Sequence, residues 1–137
     1  MALAATTQTP VAGTNVAVSD FGAPVVTDIN AIINDKRVYT AIDAATVTFD
    51  QNNSAIQKVT LGGNRTLAVS NVGDNSVFFI ILLQDGTGSR TVTWFSGIKW
   101  VNGVTPTLTT TASKYDLFGF IQLSAGSYLG MTLGKNM

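Results

Sequence analysis

The sequence predicts an all-β domain, an antiparallel β-sandwich of the jelly-roll-like kind that follows an extended amino-terminal arm and one short helix. All eight acidic residues are aspartates, and threonine takes the place that glutamate holds in helical proteins. Segments of alternating polarity are separated by turn signals at roughly 8–12-residue spacing, which indicates about nine short strands. Residues 77–83 form an uninterrupted apolar run, which predicts a central strand buried on both faces.

The composition indicates one domain whose surface is largely covered by other protein. The chain has 137 residues, 45% hydrophobic and only 12% charged, with eight basic residues balancing the eight acids. So few charges protect a monomer poorly against association, so we expect contacts with copies of itself or with a partner. No apolar run approaches the roughly 18 residues that span a bilayer, and the amino terminus lacks the features of a secretory signal. We therefore expect no membrane partner and assembly in the cytoplasm.

Residues 1–23 predict an extended arm ahead of a sandwich domain at 24–137. Small and polar residues dominate the arm, and Val11, Val16, Val18 and Phe21 are spaced as anchors. Such a segment either stays disordered or becomes ordered against a neighbouring subunit, and we expect it to dock.

The domain begins with one predicted helix and continues with strands. Pro24 suits a first helical position, and apolar residues of 24–36 recur at helical spacing. Strands are then predicted at 37–42, 45–49, 58–61, 65–70, 77–83, 90–95, 98–100, 106–109, 115–123 and 128–133.

Two glycine-bearing turns predict hairpins within one sheet. Gly62-Gly63-Asn64 joins 58–61 to 65–70, and residues 85–88 join the apolar run to 90–95. Continued alternation through the second hairpin makes Trp94 and Phe95 face opposite ways.

The residue types argue against an enzyme and against a bound cofactor or metal. The chain has no cysteine, no histidine and no glutamate, which removes thiolate nucleophiles, common zinc sites and the usual general base. Asp43 with Asp50, or Asp74 with Asp85, are the carboxylate pairs considered for glycoside hydrolysis, and each aspartate suits a turn better. The loops at 74–76 and 85–88 could offer oxygen ligands to Ca²⁺, but neither matches an EF-hand loop. The glycine-rich segment at 86–89 precedes a strand and lacks the GK[ST] ending of a nucleotide-binding loop.

Binding to nucleic acid is not expected, because Lys36-Arg37 is the only adjacent basic pair among balanced charges. Four aromatic residues, Trp94, Trp100, Tyr115 and Phe118, are predicted to lie in the core or at a subunit interface. A sugar-binding platform of Trp94, Phe95, Trp100 and Tyr115 is the alternative.

From Leu61 to Gly130 the chain resembles a β-rich module of tailed-bacteriophage virion proteins, often found at the end of tail-fibre chains. The resemblance rests on Gly62 to Leu67, Gln84 to Gly88, Thr93-Trp94, Trp100 with Gly103, Pro106 and Leu108, and Asp116 to Phe120. It implies a structural, homotrimeric virion protein.

A compact trimer with arms suits a capsid decoration (cement) protein that binds the major capsid protein on the outer surface of the head and stabilises it. The alternative is a small tail or head-fibre protein with a receptor-binding role. A polysaccharide hydrolase ranks third.

Overall fold

The computed structural model describes residues 37–137, and this part of the chain consists of strands and loops with one short 3-10 turn, Val101–Gly103. The predicted arm at 1–23 and the helix at 24–36 lie outside the described residues. The nine strands are Val38–Thr40 (β1), Thr46–Asp50 (β2), Ile56–Leu61 (β3), Arg65–Ser70 (β4), Ser76–Gln84 (β5), Val92–Thr93 (β6), Ile98–Trp100 (β7), Tyr115–Ser124 (β8) and Ser127–Gly134 (β9).

The strands form two sheets, and the chain crosses from one to the other after each of the first five strands. The six-stranded sheet has the order β1-β3-β5-β8-β9-β7, and the three-stranded sheet has the order β2-β4-β6. β1, β3 and β5 run parallel to one another, and so do β2, β4 and β6. The first half of the domain is therefore a short β-solenoid with one parallel sheet on each side, which we call the parallel coil.

A hairpin extends the larger sheet beyond this coil. β8 pairs antiparallel with β5, with Ile81 opposite Leu117, and β9 pairs antiparallel with β8. The turn between β8 and β9 contains Gly126 at a φ of 75°, a left-handed conformation that glycine adopts without a steric penalty. β7 then pairs parallel with β9 and closes the far edge.

The core lies between the two sheets and continues beneath the hairpin. Alternate residues of each long strand point inward, and the fully buried large side chains include Phe49, Phe78, Phe118 and Phe120. Burial of each such side chain contributes about 1.5–3 kcal/mol of transfer free energy. The apolar inward positions therefore hold the two sheets together.

The prediction of an all-β chain is confirmed, but the predicted antiparallel pairing is wrong for five of the seven strand pairs, since only β5–β8 and β8–β9 are antiparallel. Neither predicted hairpin exists, because β3 and β4 lie in different sheets, and so do β5 and β6. An alternating strand has one buried face whichever way its neighbours run, so the pattern did not report strand direction. The strand order does not support the jelly-roll arrangement, and the predicted strand at 106–109 is irregular chain.

Candidate functional site

The Asp43 carboxylate serves as a structural tie between two loops at one end of the coil. Arg65 donates to both of its oxygens, from Nε to Oδ1 at 2.7 Å and from Nη2 to Oδ2 at 2.8 Å. The Gly62 backbone N–H donates to Oδ2 at 3.2 Å. These donors, the guanidinium first, lower the pKa of Asp43. A general acid needs a raised pKa, so this carboxyl is poorly suited to be the general acid in glycoside hydrolysis.

The Asp85 carboxylate is a structural tie of the same kind within the loop that follows β5. Arg90 donates to it from Nη2 at 2.8 Å, and the backbone N–H groups of Thr87 and Gly88 donate to Oδ1 at 3.1 and 2.9 Å. The Arg90 guanidinium is the main reason that the pKa of Asp85 falls to about 2. The loop considered for calcium is thus built around an arginine.

The other carboxylates among residues 37–137 also accept hydrogen bonds within the fold. Asp50 accepts from the backbone of Asn52, and Asp74 accepts from the Gln122 amide at 3.0 Å. The buried Asp116 accepts from the N–H and hydroxyl of Thr109 at 2.6 and 2.7 Å. No group of three or more acidic residues in the described part of the chain is arranged to hold a metal ion.

The aromatic residues singled out from the sequence lie in two different places. Trp94 stacks edge-on against Trp100 and Phe118, with ring centroids 4.9 and 4.8 Å apart, beneath the six-stranded sheet. Phe118 is fully buried. Tyr115 lies on the opposite, outer face of that sheet and is 38% exposed.

Trp94 and Phe95 do not face opposite ways, as the predicted hairpin required. Phe95 also packs against the core, 5.3 Å from the Phe120 ring. The alternation stops because β6 ends at Thr93. Trp94, Phe95 and Trp100 are therefore partly buried against the core, and they do not form one platform with Tyr115, which lies on the opposite face of the sheet.

The outer face of the six-stranded sheet is the most unusual surface of the described domain. Its central side chains are nearly all apolar and are either partly buried or exposed. They are Val77, Phe79, Ile81 and Leu83 from β5, Leu117 and Ile121 from β8, and Leu129, Met131 and Leu133 from β9. We call this surface the apolar face.

The apolar face is continuous across the strands. Gly119 lies in the middle, and a Cβ atom there would meet Leu133, Met131 and Phe79 at 3.0–3.5 Å, so these side chains close over the glycine. A groove of about 410 Å³ runs along one side, between Lys58, Ile81, Tyr115 and Met137. Lys58 on β3 and Lys99 on β7 flank the face as exposed charges.

The outer face of the three-stranded sheet has a different chemistry. Thr46, Thr66 and Thr93 stand in one register row across β2, β4 and β6, and all three are exposed. Exposed hydroxyl groups can hydrogen-bond to water. The domain therefore presents one apolar and one hydroxylated face on opposite sides of its core.

The sequence signal for the apolar face was the run at 77–83, which was interpreted as a strand buried on both sides. In the structure its inward residues are buried, whereas Val77 on the outer side is 49% exposed. The four anchors predicted in the arm, Val11, Val16, Val18 and Phe21, lie outside the described residues. Within the described residues no helix is long and apolar enough to cross a membrane.

Comparison with known proteins identifies one related family. A family model described as "Putative phage tail fibre C-terminal domain" matches residues 37–122, more than half of the chain. The match begins with the first described residue and ends within β8, at residue 122. No curated protein and no solved structure matches the chain.

Proposed function

The chain belongs to the phage tail fibre C-terminal domain family, and we propose that it is a non-enzymatic structural component of a tailed-phage tail fibre. The family match carries the proposal, because it spans the whole parallel coil, β7 and most of β8. Membership supports a virion structural protein. It favours the fibre over the capsid decoration role that ranked first from the sequence.

The chemistry of the described residues supports a structural role. The carboxylates considered for hydrolysis accept hydrogen bonds from backbone, arginine or amide groups, and the pKa values of Asp43 and Asp85 are lowered. Trp94 and Trp100 are partly buried and pack against the core. What remains for contact with other molecules is the pair of outer faces.

Self-association is part of the proposal, as a homotrimer in keeping with the family resemblance. The apolar face offers a surface for it, and the threonine-bearing face offers a water-compatible exterior. A role in receptor binding fits the same placement, since fibre ends meet the host surface first.

Localisation on the virion tests the proposal. Gold-labelled antibodies raised against the full chain should bind the tail fibres of intact virions in electron micrographs. Label spread over the head, together with binding of the purified protein to capsids, would instead establish the decoration role with the major capsid protein as partner.

A second measurement tests the absence of an enzymatic role. Purified protein incubated with host surface polysaccharide should release no reducing sugar. Release that disappears in an Asp43→Asn or Asp85→Asn variant would overturn the structural assignment.

A further inference from the structure

We propose that Asn102, in the exposed loop after β7, is a covalent modification site at which the side-chain amide is lost and an acidic residue forms without an enzyme. The reactants are the Asn102 side chain, the backbone nitrogen of Gly103 and water. The reaction does not depend on the proposed function, because it needs only the folded chain and solvent.

The first step is an attack of the Gly103 nitrogen on Cγ of Asn102. A bond forms between these two atoms and closes a five-membered succinimide ring. The bond from Cγ to Nδ2 breaks, and Nδ2 leaves as ammonia with the proton that the Gly103 N–H gives up. Water then opens the ring. Hydrolysis of the bond from the nitrogen to Cγ gives aspartate, and hydrolysis of its bond to the main-chain carbonyl carbon gives isoaspartate.

The residue after Asn102 favours this attack. Asparagine is a thermolabile residue, and Asn102 is the one asparagine in the chain that a glycine follows. Because glycine has no Cβ, its nitrogen is not crowded by a side chain of its own. A Cβ built at Gly103 would meet no heavy atom within 4 Å, so the surroundings also leave room for the ring.

The loop leaves both reacting groups unrestrained. Asn102 and Gly103 are exposed, and Val101 and Val104 beside them are 61% and 68% exposed. Within residues 37–137 no hydrogen bond engages the Asn102 side chain or the Gly103 N–H. The Val104 N–H donates to the Val101 oxygen across the turn at 3.4 Å, which is a long bond. Once it opens, Asn102 can rotate from its ψ of 16° and bring the Gly103 nitrogen to Cγ.

Two other asparagines of the described domain are held in place. Asn64 accepts from the Thr91 N–H at 3.0 Å through Oδ1, and the N–H that follows it, that of Arg65, donates to the Thr91 oxygen at 3.0 Å. Asn71 donates from Nδ2 to Asp50 Oδ1 at 2.8 Å. These bonds restrain the amide groups, and in the first case they also engage the nitrogen that would attack. Neither restraint exists in the loop after β7.

The modification would change the surface at the edge of the larger sheet. It takes the formal net charge of the chain from zero to −1 and places a carboxylate between Val101 and Val104. Isoaspartate also adds a methylene to the main chain of the turn that directly follows Trp100. An uncharged loop with two exposed valines therefore becomes an anionic loop as the protein ages.

Incubation of the purified full chain at mildly alkaline pH tests the proposal. Trypsin cleaves after Lys99 and Lys114 and releases residues 100–114 as one peptide. Mass spectrometry then follows the mass gain of the amide-to-acid change in this peptide and in those that contain the other asparagines. We expect residues 100–114 to convert first. A synthetic peptide of residues 99–106 gives the rate without the fold, and the native chain should convert within about a hundredfold of that rate.

Two variants are matched to the wild type. Gly103→Ala places a Cβ in open space and should slow the conversion by about tenfold or more, because the attacking nitrogen is then crowded. Asn102→Gln would need a six-membered ring and should stay unconverted. Native tryptophan fluorescence confirms that each variant is folded.

Three results would overturn the proposal. One is another asparagine that converts before Asn102. The second is a native rate more than about a hundredfold below that of the peptide, which would mean that the turn protects the amide. The third is a folded Gly103→Ala variant that converts as fast as wild type.

Discussion

Gln84, at the end of β5, fixes the loop that carries the chain from the larger sheet to the smaller one. Its side chain is buried, and its Nε2 donates to the carbonyl oxygens of Arg90 at 2.9 Å and Thr109 at 2.8 Å. Its Oε1 accepts from the Arg90 backbone N–H at 2.8 Å. The amide therefore pairs with the Arg90 backbone on both sides, as a neighbouring strand would.

Replacing Gln84 with alanine removes all three bonds and leaves three backbone groups without partners. At about 1 kcal/mol for each bond, and about 1 kcal/mol for the lost apolar stem, the cost is about 4 kcal/mol of unfolding free energy. A domain of this length has roughly 7–20 kcal/mol in total, so the variant should still fold. Urea unfolding followed by tryptophan fluorescence measures the difference.

Gln84→Glu separates the loss of the donated hydrogen bonds from a change in side-chain shape. It keeps the acceptor oxygen and, when ionised, loses both bonds that Nε2 donates. Burial beside two carbonyl oxygens raises the pKa of the introduced carboxyl. A group whose folded pKa is raised stabilises the fold at low pH and loses that contribution as pH rises, so the deficit should grow from pH 4 to pH 7. Thr87→Ala in the same exposed loop is the control and should cost less than about 0.5 kcal/mol. A Gln84→Ala cost below about 1 kcal/mol would refute the assigned role.

Three further predictions concern the turns, the ion pairs and the two faces of β8. Gly97→Ala should lower the free energy of unfolding by at least about 3 kcal/mol, because φ is +84° and the new Cβ would lie 2.0 Å from the Gly126 oxygen. Gly103→Ala is the control, at φ +68° with open space around it, and should lower it by about 1 kcal/mol. Urea unfolding measures both values. The pKa of Asp85 is lowered to about 2, so its ion pair adds stability above pH 4 that is lost as pH falls through 2. Between pH 4 and pH 2 the urea midpoint of wild type should therefore fall more than that of Asp85→Asn. Phe118→Ala should lower the free energy of unfolding by about 3–5 kcal/mol, because its ring is fully buried. Tyr115→Ala, on the outer face, should change the mass of the assembly more than it changes the free energy of unfolding. If the two variants change the mass and the unfolding free energy alike, the separation of the two faces of β8 is contradicted.

The sequence located most strands but could not determine their partners. The run at 77–83 and the alternation at 115–123 predicted β5 and β8 closely. Their pairing partners depend on which sheet each strand joins, and the glycine-rich segment at 62–64 is as compatible with a crossing between sheets as with a tight turn. In the structure this crossing is fixed by the bonds from Gly62 and Arg65 to Asp43, nineteen and twenty-two residues away. Such a long-range bond leaves no local pattern.

The candidate surface was predictable only in part, for a similar reason. The apolar run indicates that the side chains on both faces of β5 are apolar. Those on the inner face, Phe78, Ile80 and Leu82, are buried within the chain. The outer side points to a partner, and intermolecular contacts leave no periodicity of their own. The aromatic pair Trp94 and Phe95 shows the opposite case, where the end of β6 turns both rings inward.

The two outer faces together account for the low charge of the chain. A protein with 12% charged residues must keep water away from its apolar surface or offer water other polar groups. In the proposed self-association the larger sheet takes the first course, because its apolar face is covered in the assembly. The smaller sheet takes the second, with hydroxyls from Thr46, Thr66 and Thr93 in one row. Because the parallel coil keeps the two sheets on opposite sides of one core, assembly through the first face necessarily turns the second toward the outside.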